Sequence, residues 1–247
     1  PILLGGDIFL NKEKLKKYFK YNNLICIDNV KKINKRDVAF STRNIPHAGH
    51  NLIQQNIIKR KKNLSIFLIL GHKNKYKESV LLNSYKSLKK NKIFKNLDIF
   101  FIYLPSFYAG PNEAFFQAKI FENLKYKYFY VGRDHAGYKS YYNKFDSQLI
   151  FNKLKTKIKI IKLNEPIFCN NCEYVFFKKH KKICPKCSNK NLSELNGSDI
   201  KILIKNKKTK LLSKFLDPYV FNYFKKINFS LQNDWYNIDQ QKNNNRL

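Results

Sequence analysis

Four short apolar runs, each followed by a polar turn and then a helix-like stretch, limit what this chain can fold into. They are "DVAF" (37–40), "LSIFLIL" (64–70), "LDIFFIYL" (97–104) and "YKYFYV" (126–131). Runs this apolar offer no polar face to water, so they read as strands covered on both sides. Between them lie a helix from about His47 to Lys61, then "YKESVLLNSYKSLKKN", then "EAFFQAKIFENL". A further helix around "SQLIFNKL" leads to the strand "KIKIIKL". Strands separated by helices of this length require crossover connections, which build an α/β fold with a parallel sheet. The alternation runs from about residue 34 to 163; ahead of it, "GGDIFL" reads as a turn and short strand and "KEKLKKYFKYN" as an amphipathic helix.

At 247 residues the chain can bury one substantial core with a small satellite. No apolar run approaches the roughly 20 residues that cross a bilayer, and no signal-peptide pattern opens the chain, so no membrane role and a cytoplasmic location are expected. The 49 basic residues against 17 acidic ones give a formal charge of +32. A nucleic-acid surface is one reading of that charge. The other is compositional drift, because Lys, Asn, Ile, Phe and Tyr are inflated together and the lysines form no single stripe. Drift is preferred, and a nucleic-acid partner is not expected. Either way, such a field draws small anions toward any cleft.

The segment "CNNCEYVFFKKHKKICPKC" places Cys169, Cys172, Cys184 and Cys187 in two C-x-x-C knuckles. Two such turns bring four thiolates to the corners of a tetrahedron, which suits a closed structural Zn²⁺ site. Disulfides fit poorly: nothing points to secretion, and a C-x-x-C pair closes a strained ring. His180 between the knuckles is read as exposed and Cys26 as a buried small apolar residue.

Two polar turns follow strands. "STRNIPHAGH" (41–50) sets His47 and His50 at i and i+3 on one face of a helix start, beside its free backbone N–H groups. Imidazoles there can donate to phosphate oxygens, assisted by the helix dipole. The second turn, "VGRDHAG" (131–137), gathers Arg133, Asp134 and His135 between two glycines.

The H-x-G-H arrangement resembles the signature of the nucleotidylyltransferase superfamily. With "TRN" and "GRDHAG" beside it, the chain resembles the ATP sulfurylase (sulfate adenylyltransferase) family, whose pattern runs close to "QTRNPxHRGH" and "GRDHAG". "FYAGPNEAFFQA" (107–118) looks like that family's "YAGPREAxFHA" and "YYNKFDSQLIF" like its "YYGPYDAQxIF". "LNGSDIKILI" resembles "ISGTxIRxxL", "DPYVFNYF" resembles "RPEVxxxL", and the four cysteines sit where bacterial and archaeal members carry a metal-binding insertion. The likeness covers roughly residues 35–225 in order.

The resemblance implies a Rossmann-like nucleotidylyltransferase fold with a small zinc-ribbon insertion and a helical C-terminal segment. The expected division is an entry segment (1–33), a catalytic domain (34–166), the ribbon (167–190) and the C-terminal segment (191–247). It implies that Thr42, Arg43 and Asn44 form the catalytic triplet, with Arg43 holding the sulfate dianion, and that His47 and His50 brace the phosphates. Gly132, Arg133, Asp134 and His135 would hold ATP, the Ala136 N–H would meet a sulfate oxygen, and Ser198 and Lys201 would contact the nucleotide phosphates. Ser41 would border both ATP and sulfate. The implied products are adenosine 5′-phosphosulfate and pyrophosphate, Mg²⁺ would travel with the phosphates, and a homo-oligomer is compatible.

Departures stand beside the likeness. The family's glutamine before "TRN" is Ser41, an arginine becomes Lys201, the loop "GHKNKYKES" lacks the expected acidic residue, and "RPEV" is "DPYV". The family's N-terminal β-rich domain has no counterpart, and "PILLGGDIFL" looks like its exit. Two alternatives therefore stay open: adenylyl transfer to another acceptor, and an inactive zinc-stabilised nucleic-acid binder.

Overall fold

The computed structural model describes residues 36–60, 62–70, 76–104, 109–133, 135–137, 141–178 and 183–231. The two elements expected before residue 34, together with Cys26, Asp134 and His180, lie outside the described residues.

The apolar runs form the strands β1 (Val38–Thr42), β2 (Leu64–Leu70), β3 (Asp98–Tyr103), β4 (Tyr128–Val131) and β5 (Lys159–Lys162). All pair in parallel, in the order β3-β2-β1-β4-β5. Helices α1 (Ala48–Lys59), α2 (Glu78–Leu88), α3 (Pro111–Asn123) and α4 (Asp146–Lys153) make the crossovers. This is the α/β parallel-sheet architecture that the alternation of runs predicts.

Side chains leave a strand on alternate faces, so each strand feeds two cores. Val38 and Phe40 of β1 join Ile66, Leu68 and Leu70 of β2 against Leu81, Tyr85 and Leu88 of α2. Ala39 and Phe67 point the other way, into a cluster with Phe100, Ala118, Phe121, Phe129 and Val131. There the Phe67 and Phe121 rings lie 4.7 Å apart and Phe121 and Phe129 4.9 Å apart, so truncating Phe121 to alanine costs about 3–5 kcal/mol. Helices α5 (Gly197–Lys205), α6 (Thr209–Phe215) and α7 (Pro218–Lys226) cover the first face through Ile204, Leu212, Val220 and Phe224. No described helix is long and apolar enough to cross a membrane.

A smaller antiparallel sheet, ordered β7-β6-β8, consists of β6 (Pro166–Cys169), β7 (Val175–Phe177) and β8 (Leu192–Glu194). Its third strand lies past residue 190, so this sheet extends beyond the cysteine knuckles. Its core holds little besides Ile167, Phe176 and the cysteines themselves.

The sheet order reverses between β1 and β4. At such a switch point the chain leaves neighbouring strands in opposite directions, and a crevice opens at their carboxyl ends. Here the register makes it plain. β1 stays paired with β2 through Thr42, but its pairing with β4 ends at Ala39 and Phe129. The tips of β1 and β4 then part.

Candidate active site

The parting strands open a cavity of about 730 Å³. One wall comes from the turn after β1, with Ser41, Thr42, Arg43, Asn44, His47 and His50; the other comes from Gly132, Arg133, His135, Ala136 and Gly137 after β4. Ser198 completes the rim from the start of α5. The two polar turns picked out in the sequence thus face one another. Lys201 lies one turn further along α5, half-buried, and is not among the lining residues.

The β1 turn is braced from within. Thr42 Oγ1 accepts the Asn44 backbone N–H at 3.0 Å, and Ser41 and Thr42 are both buried. Asn44 meets the first turn of α5 so closely that a Cβ on Gly197 would fall 2.6 Å from its side chain and displace it. His47 occupies the N-cap of α1 with an extended backbone and no side-chain capping bond. Its ring therefore stacks on His50 at 4.1 Å, as the i, i+3 spacing allows, while Phe40 meets His50 edge-on at 5.4 Å. No acidic side chain occupies the first turn of α1, so its positive end faces the cavity uncompensated.

Burial sets the protonation of all three imidazoles. Desolvation holds His50 at about 4, with the Ile45 backbone opposing it. Desolvation, aided by the neighbouring His50, takes His47 well below the ordinary value. His135 is pushed down to about 4 by desolvation and then by the positive charge of Arg43. Three neutral rings at neutral pH can each donate one N–H without placing a further charge in the site.

Both arginines are met by carboxylates. Arg43 pairs with Glu113 in the first turn of α3. Arg133 NH1 lies 2.6 Å from Glu165 and 2.9 Å from Glu194, and its NH2 donates to Asn196. Lys144, at 2.6 Å, also holds Glu194 and is the leading cause of its lowered pKa. Local charge is therefore nearly balanced in a chain whose total is +32. The motifs did not point to Glu113, Gln117, Glu165, Glu194 or Lys144. Glu113 and Gln117 carried a signal: they sit four apart inside "FYAGPNEAFFQA", on one face of a helix whose start Pro111 marks.

The turn after β4 is held from behind. Gln148 Nε2 donates to the Val131 and Leu163 carbonyls at 3.0 and 2.9 Å, closing the ends of β4 and β5. Ser147 Oγ donates to the His135 carbonyl at 2.6 Å, and the Gly110 N–H to that of Ala136 at 3.0 Å. Gly110 has φ +48, and a Cβ there would meet the Tyr142 ring at 2.6 Å, so both space and backbone demand glycine.

The four cysteines converge, with all sulfurs within 4.8 Å and no disulfide among them. Cys169 and Cys187 sulfurs are 3.6 Å apart, as are those of Cys172 and Cys184. A tetrahedral ion with metal–sulfur bonds of about 2.3 Å needs sulfur separations of about 3.8 Å. The two knuckles are copies of one turn. Glu173 and Ser188 take φ of 57 and 55, and each returns its N–H to the first cysteine carbonyl at 2.9 Å. The Asn189 backbone N–H lowers the pKa of the Cys187 thiol, toward the thiolate a metal needs, while desolvation raises that of Cys172. The donor set therefore fits a bound metal ion.

Comparison with known proteins agrees with the geometry. The sulfate adenylyltransferase of Pyrococcus abyssi is 32% identical over 190 residues, covering 74% of this chain and 49% of that protein. The one from Carboxydothermus hydrogenoformans is 30% identical over 220 residues, covering 87% and 54%. The chain spans about half the length of the curated relatives it matches. A solved hexameric APS kinase from Thiobacillus denitrificans superposes with a TM-score of 0.56 over 81% of this chain and 38% of that one; at 11% identity this likeness speaks to the fold alone. The ATP-sulfurylase family model matches residues 27–226, a span holding both cavity turns and all four cysteines, and the chain belongs to that family.

Proposed function

We propose that this chain transfers the adenylyl group between ATP and sulfate, forming adenosine 5′-phosphosulfate and pyrophosphate, or running the same exchange in reverse. The observation that carries this reading is the meeting of the turn after β1 with Gly132, Arg133 and His135 to Gly137 after β4 across one cavity at the switch point. An incoming dianion and a triphosphate must lie side by side for one to attack the other.

The bond changes are simple. A sulfate oxygen forms a bond to the α-phosphorus, the bond to the β-phosphate oxygen breaks, and pyrophosphate leaves with its electrons. Sulfate is already an anion, so no side chain need remove a proton; the protein aligns the reactants and neutralises charge. Arg43 suits the sulfate through paired guanidinium hydrogen bonds. His47 and His50 donate to the leaving phosphates at the helix start, and Arg133, Asp134, His135 and Ser198 hold the nucleotide. Mg²⁺, bound with the triphosphate, would spread its charge.

The cysteine site takes Zn²⁺ in this reading, as a structural ion held by Cys169, Cys172, Cys184 and Cys187. Four reduced thiols suit a reducing, cytoplasmic compartment. Sulfate-dependent exchange of labelled pyrophosphate into ATP tests the reaction. Exchange that needs sulfate is expected, whereas exchange that needs a different acceptor, or none at all, overturns it.

A further inference from the structure

Gln117 lies on α3 beneath both cavity turns, is 1% exposed, and lines the cavity. Its Oε1 is 2.8 Å from Ser41 Oγ and 2.8 Å from His135 Nε2, while its Nε2 is 3.4 Å from Glu113 Oε1. Which end of the amide faces which neighbour follows from chemistry. Glu113 is paired with Arg43 and is therefore ionised, and an ionised carboxylate only accepts. The amide nitrogen must face it. The amide oxygen then faces Ser41 and His135, and both of these must donate. A neutral imidazole has one N–H, so this places the His135 proton on Nε2.

The two sequence positions involved are also departures that touch. In the pattern this chain resembles, glutamine stands where Ser41 is and histidine where Gln117 is. In this chain the two positions are joined by the Ser41 Oγ–H···Oε1 Gln117 bond at 2.8 Å.

We propose that Gln117 is a positioning residue for the site: it ties the β1 turn to the β4 turn, fixes His135 as the Nε2–H tautomer, and through Glu113 sets the guanidinium of Arg43. The kinetic consequence rests on the sulfate reading above; the tautomer does not. Gln117→Glu keeps the shape and the acceptor but loses the donor to Glu113. Gln117→Leu removes both.

The test is ¹⁵N NMR of the histidine rings in the full chain, with sulfate-dependent pyrophosphate exchange run alongside. In wild type, His135 reads as Nε2–H. In Gln117→Leu it becomes a mixture of tautomers, and the sulfate KM rises about tenfold while the ATP KM stays within about twofold, the loss expected for one misplaced donor set. In Gln117→Glu the new carboxylate raises the His135 pKa by about one unit or more. An unchanged tautomer in Gln117→Leu overturns the proposal, and so does an ATP KM that rises as far as the sulfate KM. Should Gln117→Leu fail to fold, an unchanged His135 pKa in Gln117→Glu overturns it instead. If wild type shows no sulfate-dependent exchange, the reaction is wrong, and the tautomer alone decides the role of Gln117.

Discussion

Arg43 and Arg133 face the same cavity, yet different parts of the molecule hold them. Arg43 stands at the tip of β1 and is met by Glu113 on α3, both within the parallel-sheet layer. Arg133 follows β4, but its partners Glu165, Glu194 and Asn196 lead into β6, form part of β8, and lead out of it. One arginine is set by elements of the parallel sheet, packed on its large hydrophobic cores. The other is set by a small sheet with almost no core except its cysteines. The cysteine sheet therefore forms a wall of the site as well as a staple for the chain.

The largest expected effect separates the two directly. On the proposed reaction, Arg43→Ala lowers sulfate-dependent exchange by about 100-fold or more, as does His50→Ala, because each removes a donor placed where charge builds. The Arg43 loss falls on sulfate. Arg133→Ala instead raises the ATP KM with the sulfate KM little changed. If both arginine variants move the same substrate constant, the division of labour fails.

Metal removal probes the other half of the contrast. With the ion gone, the four sulfurs, all within 4.8 Å of one another, lose the bonds that gather them and the small sheet loses its main support. Glu194 and Asn196 then release Arg133, while Glu113 keeps Arg43. The expected outcome after chelation, or in Cys172→Ser, is an ATP KM raised about tenfold with far-ultraviolet dichroism largely retained and the sulfate KM within about threefold. Elemental analysis of untreated protein should give one Zn²⁺ per chain. A metal-free sample with wild-type kinetics would dissolve the comparison.

What the sequence disclosed follows the same line. "LSIFLIL" became Leu64–Leu70 without adjustment, because a strand buried on both faces has no reason to break its apolar run. The cysteine knuckles were legible because spacing alone sets their geometry. The turns at 41–50 and 131–137 were visible as motifs, but that they meet is a property of sheet order, which strand patterns do not encode. Glu165, Glu194 and Lys144 were invisible for a different reason. Each is a lone charge in a chain with 49 basic residues, and its partner lies across an inserted sheet. Lys201 shows the converse: motif resemblance named it, while the helix turn places it off the cavity lining.

Falling pH should act on the buried histidines, since the arginines stay protonated throughout. His50 and His135 sit at about 4 and His47 well below its usual value, while an unfolded imidazole titrates near 6.5. The folded pKa values are depressed, so the unfolded chain binds protons first as pH falls. The stability these rings contribute is complete above about 6.5 and is lost as pH drops toward 4. The urea midpoint should decline across that window, and His50→Asn should remove about a third of the decline. A flat profile would mean that the rings are not held neutral.

The smallest effect concerns Lys201. If resemblance alone governed, restoring the family's arginine would return a bidentate donor to the nucleotide and tighten it clearly. Its place on α5 favours a smaller effect. Ser198 lines the cavity at the helix start, but Lys201 sits a turn away, half-buried and outside the lining. Peripheral changes of this kind usually stay within about half a kcal/mol. Lys201→Arg should therefore shift the ATP KM by less than about threefold. A tenfold improvement would show that α5 turns inward when nucleotide binds, and that the β4 side of the site is completed by motion, whereas the β1 side is built in place.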